Sequence, residues 1–325
     1  YHEFSAKTLF SDNGQAVTIA DTSQQNQASA DAELDLVLDA LVAHSSTAPN
    51  ISRKLIQRFV TSNPSADYIE RVANAFGSEG DMRGVIKAIL LDSEARNPAV
   101  LGSQTFGKFK EPVLQMTGIL RLLQAQSEVP LGATGTESNA VRGFDYEFID
   151  QFAPGASVLR MGNLDIGQAA LGASSVFNFF SPDFAPPGII ASNSLVAPEL
   201  QLITESQLFK SSNTYHRLIN NGFVRWSVYN DDYRNPAYEP EQFHIRLNYQ
   251  RLQSLWDTTP GGATEKAIAV VDYLDFYLNG GQLLQTDNYG TRQAMISNIA
   301  AASGDNRFSL GVYAAGMTAE FMTQK

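Results

Sequence analysis

The residues best suited to acid–base or anion-binding chemistry lie near the start of the chain. His2 and Lys7 occur in the first ten residues, and His44 is followed by Arg53 and Lys54. Histidine exchanges a proton near neutral pH, and arginine or lysine can hold an anion. These five are therefore the candidates for a polar catalytic site. The competing interpretation is structural for His44, because an imidazole near a helix C-terminus interacts favourably with the helix dipole.

A second candidate site lies in W-S-V-Y-N-D-D-Y (226–233), which mixes aromatic and oxygen-bearing side chains. Aromatic faces can stack sugar rings, and carboxylate oxygens can hold calcium. Calcium is the one cation that the segment suggests, and the sequence predicts no other cofactor. The alternative is a structured loop with packed tyrosines and solvated acids. The candidate ligand-binding residues are Trp226, Tyr229, Asp231, Asp232 and Tyr233.

Complete catalytic motifs are missing from the sequence. G-S-Q-T-F-G-K-F (102–109) approaches a phosphate-binding loop, but Phe109 stands where a Ser or Thr must hold magnesium. The sequence contains no H-E-x-x-H zinc motif and no G-x-S-x-G nucleophile elbow. It also has no cysteine, which excludes disulfides, thiol catalysis and cysteine-ligated metals. Motifs alone thus leave open whether the chain is an enzyme.

The composition limits the partners of the chain. A formal net charge of −11 argues against nucleic acid and against an anionic membrane surface, both of which attract clustered lysine and arginine. No segment approaches the ~20 consecutive apolar residues of a transmembrane helix. The hydrophobic fraction of 43% is sufficient for a folded core.

The elements that would position these residues are mainly helices. Residues 1–30 are expected to form a β-hairpin, turning at Asn13-Gly14, and a polar linker; this hairpin is the only extended structure predicted. Residues 31–126 carry apolar residues at helical spacing and are expected to form a helical bundle. Asp81 is placed to cap one helix, and Phe59 and Ile86 are expected in the core. The first apolar stripe consists of Leu34, Val37, Leu38, Leu41 and Val42.

Residues 127–325 are expected to combine loops with C-terminal helices. Glycine, proline and aromatic residues are dense in 127–195, which indicates long structured loops packed on the bundle. Helical periodicity returns later, in one case stopping at Gly280-Gly281. We expect this region to form one continuous domain with the bundle. The fold class predicted is mainly α, a multi-helix bundle with an N-terminal β-hairpin and long structured loops.

Five stretches carry a family resemblance over essentially the whole chain. They are H-E-F-S-A-K-T-L-F (2–10), H-S-S-T-A-P-N-I-S-R-K-L-I-Q-R-F-V-T-S-N-P (44–64), F-G-K-F-K-E-P-V-L (106–114), G-Q-A-A-L-G-A-S-S-V-F-N-F-F-S-P-D-F-A-P-P-G (167–188) and L-V-A-P-E-L-Q-L-I-T-E-S (195–206). On these residues the chain resembles the C-terminal half of the bacterial family catalogued as domain of unknown function 1800. The resemblance implies an exported protein. It also implies an N-terminal half with an acidic helical motif that this chain lacks.

Two functions follow as expectations. The first is a periplasmic or cell-surface binding or assembly protein, whose partner is another protein, the missing N-terminal half or further copies of the chain. The alternative is a hydrolase of an extracellular polymer, with its site shared with the missing half. A concave pocket holding His or carboxylate groups of perturbed pKa would favour the enzyme. A flat apolar patch would favour assembly.

Overall fold

The fold is given by a computed structural model, and its helices confirm the mainly α class with a short N-terminal strand pair. The chain forms two compact units, the first made of residues 1–108, 185–197 and 325, the second of 109–184 and 198–324. The boundaries predicted at residues 30 and 126 stay predictions. The structure describes residues 3–10, 16–127, 166–169, 171–176, 178–221, 223–224, 244–286, 290–304 and 306–325.

The first unit combines the N-terminal strand pair with the first helices. The strands are antiparallel, with Lys7 opposite Ile19, as the hairpin prediction requires. The elements are β1 (Lys7–Leu9), β2 (Val17–Ile19), α1 (Gln27–Ala43), α2 (Thr47–Phe59), α3 (Ala66–Phe76), α4 (Met82–Leu91), α5 (Ser93–Arg96), a 3-10 turn (Pro98–Gly102) and the one-turn helix α7 (Ile189–Ser192).

Polar side chains fix the starts of these helices. The side chain of Asn26 accepts a hydrogen bond from the Ser29 N–H at 3.0 Å at the start of α1. Asp81 accepts one from the Gly84 N–H at 2.9 Å, which confirms the cap predicted for α4. Each cap satisfies an N–H group that has no partner inside its helix.

The core of the first unit lies between α2, α3 and α4. Its fully buried residues include Ile56 and Val85, whereas Phe59 is 42% exposed and Ile86 is half-buried. The buried faces of α2 and α4 are therefore centred beside the residues expected from the sequence. Positions four apart drift around a helix by about 40°, so a stripe can be recognised while its centre is misplaced. The core consists of Ile56, Tyr68, Val72, Phe76, Val85 and Ile89.

The second unit is built around a long buried helix. This helix, α10, contacts helices on several sides and ends at Gly280 with φ +65°, as predicted from Gly280-Gly281. Val270, Val271 and Leu274 are fully buried along it. The helices are α6 (Pro112–Leu122), α8 (Glu205–Asn221), α9 (Gln250–Thr258), α10 (Ala263–Asn279), α11 (Gln282–Thr286), α12 (Thr291–Ala301), α13 (Asn306–Gly316) and α14 (Ala319–Met322).

Short strands extend the β content beyond the predicted hairpin. In the second unit β6 pairs antiparallel with both β4 and β5, which makes a three-stranded sheet that the sequence did not predict. Strands of two or three residues are too short to show an alternating apolar pattern. The strands are β3 (Lys108–Phe109), β4 (Gln126–Ser127), β5 (Phe223–Val224), β6 (His244–Arg246) and β7 (Thr323–Gln324).

Candidate functional site

Lys7, one of the candidate catalytic residues, forms a partly buried ion pair. Its Nζ lies 2.8 Å from Oε2 of Glu33, whose side chain is 8% exposed. The same ammonium group donates hydrogen bonds to the backbone oxygens of Glu3 and, at 3.1 Å, Ser5. The Glu33 carboxylate on α1 neutralises the charge of Lys7, and backbone oxygens before β1 accept its other hydrogen bonds. The arrangement fastens the N-terminal strand pair to the first helix.

His44 lies at the C-terminal end of α1, the position from which the structural interpretation started. Its Nδ1 accepts a hydrogen bond from the Ser46 N–H at 3.2 Å, within the turn into α2. The imidazole also packs against Phe10 with ring centroids 5.0 Å apart. Lys7 contacts α1 at Glu33, and Phe10 contacts its C-terminal end at His44. These two positions are eleven residues apart, about three helical turns. The structure brings the N-terminal strand pair and α1 together through these contacts.

Two of the remaining sequence candidates lie on a described helix. Arg53 and Lys54 are exposed on α2. His2 lies outside the described residues. So do the five candidates for sugar or calcium binding, Trp226, Tyr229, Asp231, Asp232 and Tyr233. The sites proposed for these residues stay predictions.

Lys108, the lysine of the phosphate-loop-like motif, is buried at the C-terminal end of α2. Its Nζ donates to the backbone oxygens of Gln57 at 3.0 Å and Arg58 at 2.7 Å. The preceding Gly107 exchanges hydrogen bonds with Thr61, whose Oγ1 accepts from its N–H at 2.9 Å and donates to its oxygen at 3.2 Å. A cation at the last carbonyls of a helix also meets the negative end of its dipole. The motif therefore caps a helix.

Asn63 joins two family-like stretches of the first unit. Its Nδ2 donates to the Val196 oxygen at 2.9 Å, and its Oδ1 accepts from the Val196 N–H at 2.9 Å. The side-chain amide thereby pairs with a backbone amide as a strand neighbour would. The segment 185–197 is held to the end of α2 by this double hydrogen bond.

The second unit contains a buried polar network that the sequence analysis did not single out. Nε2 of Gln168 donates to Oε2 of Glu111 at 2.7 Å, and its Oε1 accepts from the Val113 N–H at 3.2 Å. The Tyr215 hydroxyl donates to Oε1 of Gln115 at 3.1 Å, and burial raises the pKa of Tyr215. Glu111 and Gln168 lie inside family-like stretches, which was the available sequence signal, whereas Gln115 and Tyr215 lie outside them. The network ties residues 166–169 and α8 to the start of α6.

Lys110 is a partly buried lysine of the second unit. Its Nζ lies 4.5 Å from the centroid of the Phe321 ring, a cation–π contact. Burial lowers the pKa of Lys110, because the ammonium form loses hydration there. A single amine over a phenyl ring does not by itself indicate a reaction.

A shallow depression of about 510 Å³ opens on the first unit beside α5. Arg71 and Glu94 are on its wall, with Arg71 fixed by Asp92 through Nε–Oδ2 and Nη2–Oδ1 hydrogen bonds of 2.7 and 2.8 Å. The Arg71 guanidinium holds the pKa of Asp92 below its usual range. Asp92 also accepts from the Glu94 N–H at 2.8 Å, capping α5. Arg71 and Asp92 thus bind each other.

The leucine face of α1 is exposed, although the sequence predicted it as a packing face. Leu34, Leu38 and Leu41 are 55%, 49% and 45% exposed, and Val42 at the end of the stripe is 37% exposed. Six large apolar residues on α2, α3 and α4 form the buried core, whereas Phe59, Met82, Leu90 and Leu91 are exposed on these helices as single positions. The apolar stripe of α1 is therefore left without a covering element in the described part of the chain.

The side of α1 next to the leucine face makes its contacts with the rest of the first unit. Glu33 is buried there, and Ala30, Val37 and Ala40 are half-buried. The helix packs on the strand β2 and on α2. Small side chains allow this close approach, and the Lys7 ion pair neutralises the buried carboxylate. The larger side chains consequently point to solvent.

Two classes of site are not found among the residues that the structure describes. No group of three or more His, Asp or Glu side chains is arranged to hold a metal ion. No described helix is both long and apolar enough to cross a membrane.

The fold and these sites define a mainly helical protein with buried hydrogen bonds between polar side chains and an exposed apolar helix face. The family model described as "Protein of unknown function (DUF1800)" matches residues 1–323, so the chain belongs to that family. The match covers essentially the whole chain and does not single out a C-terminal half. No curated protein and no solved structure matches the chain.

Proposed function

We propose that this chain is an exported protein that binds and assembles with a protein partner in the periplasm or at the cell surface. The observation that carries the proposal is the leucine face of α1, defined by Leu34, Leu38, Leu41 and Val42. Fully burying one leucine side chain contributes about 1.5–3 kcal/mol. A row of half-exposed leucines on one helix is therefore typical of a surface that another molecule covers.

The polar groups support binding over the hydrolase alternative. The Asp92 carboxylate, whose pKa is lowered, is held by Arg71 and caps α5. The buried Glu111 is held by Gln168. A general acid or base needs a free face toward the substrate. These carboxylates are instead engaged by neighbouring side chains and backbone groups, which is typical of structural ties.

Export is supported by the family resemblance and by a composition without cysteine. It is tested by fractionating the producing bacterium and by exposing intact cells to a protease. The protein should be found in the periplasmic or surface fraction. Recovery only with cytosolic markers would contradict this part of the proposal.

Site-specific photocrosslinking tests the binding role. A photoreactive residue replaces Leu38 in the full protein, and a matched one replaces Lys87, which is exposed on α4. Irradiation of the producing cells should give one adduct of defined mass from position 38 only. Adding L34D and L41D should abolish that adduct because charge on the stripe opposes burial. The doubly substituted protein should keep its melting temperature, since both leucines are half-exposed.

The opposite pattern would overturn the binding proposal. Equal adducts from positions 38 and 87, or no adduct from either, would show that the stripe is not a preferred contact. If the adduct is retained after L34D and L41D while the fold is intact, the leucine face is likewise not the contact surface. Mass spectrometry of the adduct then identifies the partner and the residue it presents.

A further inference from the structure

Resting on the proposed function, we infer that the partner presents an amphipathic helix whose apolar face is bordered by a row of lysine or arginine. The inference comes from three aspartates that accompany the leucines of α1. Asp31, Asp35 and Asp39 are all exposed and recur every four residues. Residues four apart lie on one side of a helix, about 6 Å apart along its axis.

The aspartate row borders the leucine face. Each aspartate precedes an exposed apolar residue by three positions, as in Asp31–Leu34 and Asp35–Leu38. Residues three apart are neighbours on a helix surface. A helix packed on the leucines would therefore place its own flank within reach of the aspartates.

The charge of this row is not neutralised by the neighbouring sequence. No lysine or arginine occurs between residues 8 and 52. Asp31 accepts a hydrogen bond from the uncharged Gln27 amide at 2.7 Å. The nearest basic residue in sequence before the helix, Lys7, is paired with Glu33. The row consequently favours a cationic flank on whatever covers the leucines.

The same charges argue against two other occupants. A second copy packed antiparallel on the same face would place its aspartate row next to the aspartate row of the first. Like charges on neighbouring helices repel each other. An anionic lipid surface would be repelled for the same reason. A basic amphipathic helix satisfies both the apolar and the acidic part of the surface.

Two synthetic peptides of about 18 residues, long enough for several helical turns, test the inference. Both carry leucines at helical spacing, one with a row of lysines four apart and the other with glutamates at the same positions. Fluorescence anisotropy measures their binding to the full chain. The lysine peptide should bind at least ~10-fold more tightly, and the difference should shrink at high salt.

Charge exchange provides the second arm of the test. The variant D31K/D35K/D39K should reverse the preference and bind the glutamate peptide. The control E70K/E79K/E205K changes the net charge equally at exposed positions elsewhere and should keep the preference for the lysine peptide. Circular dichroism checks that both variants retain their helices.

The outcomes separate this inference from the proposed function. Equal binding of the two peptides, or an unchanged preference in D31K/D35K/D39K, would overturn the basic partner. Binding of neither peptide, with the Leu38 adduct retained in cells, would also overturn it while leaving the binding role in place. A concentration-dependent dimer that L38D dissociates would replace it with a second copy. Loss of both peptide binding and adduct would remove both proposals.

Discussion

Lys108 illustrates how a residue typical of catalytic motifs can be structural. Its ammonium is buried and bound to two carbonyl oxygens at the end of α2. In K108M the side chain keeps a similar volume but loses its donors. Leaving a buried acceptor without a partner costs about 1–3 kcal/mol, so the free energy of unfolding should fall by that order. Urea unfolding measures the change.

The control for Lys108 is the exposed Lys87. K87M should alter the free energy of unfolding by less than about 0.5 kcal/mol, as for most surface substitutions. Equal stability of K108M and K87M would show that the capping hydrogen bonds do not support the fold.

Asp92 gives a prediction for the pH dependence of stability. Its folded pKa is lowered by Arg71, whereas an unfolded aspartate has a pKa of about 3.9. A lowered folded pKa stabilises the fold above the unfolded pKa, and this stabilisation is lost as the pH falls through the folded pKa. The stability difference between wild type and D92N should therefore be largest above about pH 5 and decrease below about pH 4.

Denaturant unfolding of the wild type and D92N across this pH range measures the difference. D67N is the control, because Asp67 is exposed on α3. A difference that stays constant with pH would mean that ionised Asp92 is no more favoured in the folded than in the unfolded chain.

At the scale of the element, the register of α2 can be tested by two substitutions. Ile56 is fully buried and Phe59 is 42% exposed. I56A should lower the free energy of unfolding by about 2–5 kcal/mol, in the range of large-to-small core changes. F59A removes more atoms but should cost less, because part of the ring is already in water. A larger loss for F59A would restore the helix face expected from the sequence.

The sequence predicted where helices begin and end, but it did not predict which face of a helix is buried. Apolar spacing, Asp81 and Gly280 predicted helices and their ends, because these signals are local. The same spacing did not reveal that α1 packs through Ala30 and Glu33 rather than its leucines. Periodicity identifies an apolar face, but the neighbouring elements decide whether that face is buried.

For the candidate sites, too, the sequence identified residues but not their tertiary contacts. The sequence named Lys7 and His44 as candidates near the start of the chain, and in the structure Lys7 pairs with Glu33 while His44 packs against Phe10. It could not show that Glu33 would neutralise Lys7, because a helix turns each residue by about 100° and the buried side depends on tertiary contacts. The network of Glu111, Gln168 and Tyr215 depends on contacts far apart in sequence, which spacing alone does not reveal.

At the scale of the whole molecule, net charge and local surface agree. The chain carries a formal charge of −11, and α1 contributes aspartates without a basic residue. An acidic protein attracts basic partners over a distance comparable with the Debye length. Association with a basic helix should therefore be faster at low salt, while the leucines determine how long the complex lasts.

The discontinuous first unit has a consequence for biosynthesis. Asn63 and Val196 are joined by two hydrogen bonds across 133 residues of sequence. When the ribosome has completed α5, the unit still lacks the segment 185–197, which emerges only after residues 109–184. At about 5–20 residues per second, that interval lasts several seconds. Closure of the unit thus requires the chain to have been synthesised beyond Val196, and a chain that ends before residue 185 cannot make the Asn63 pairing.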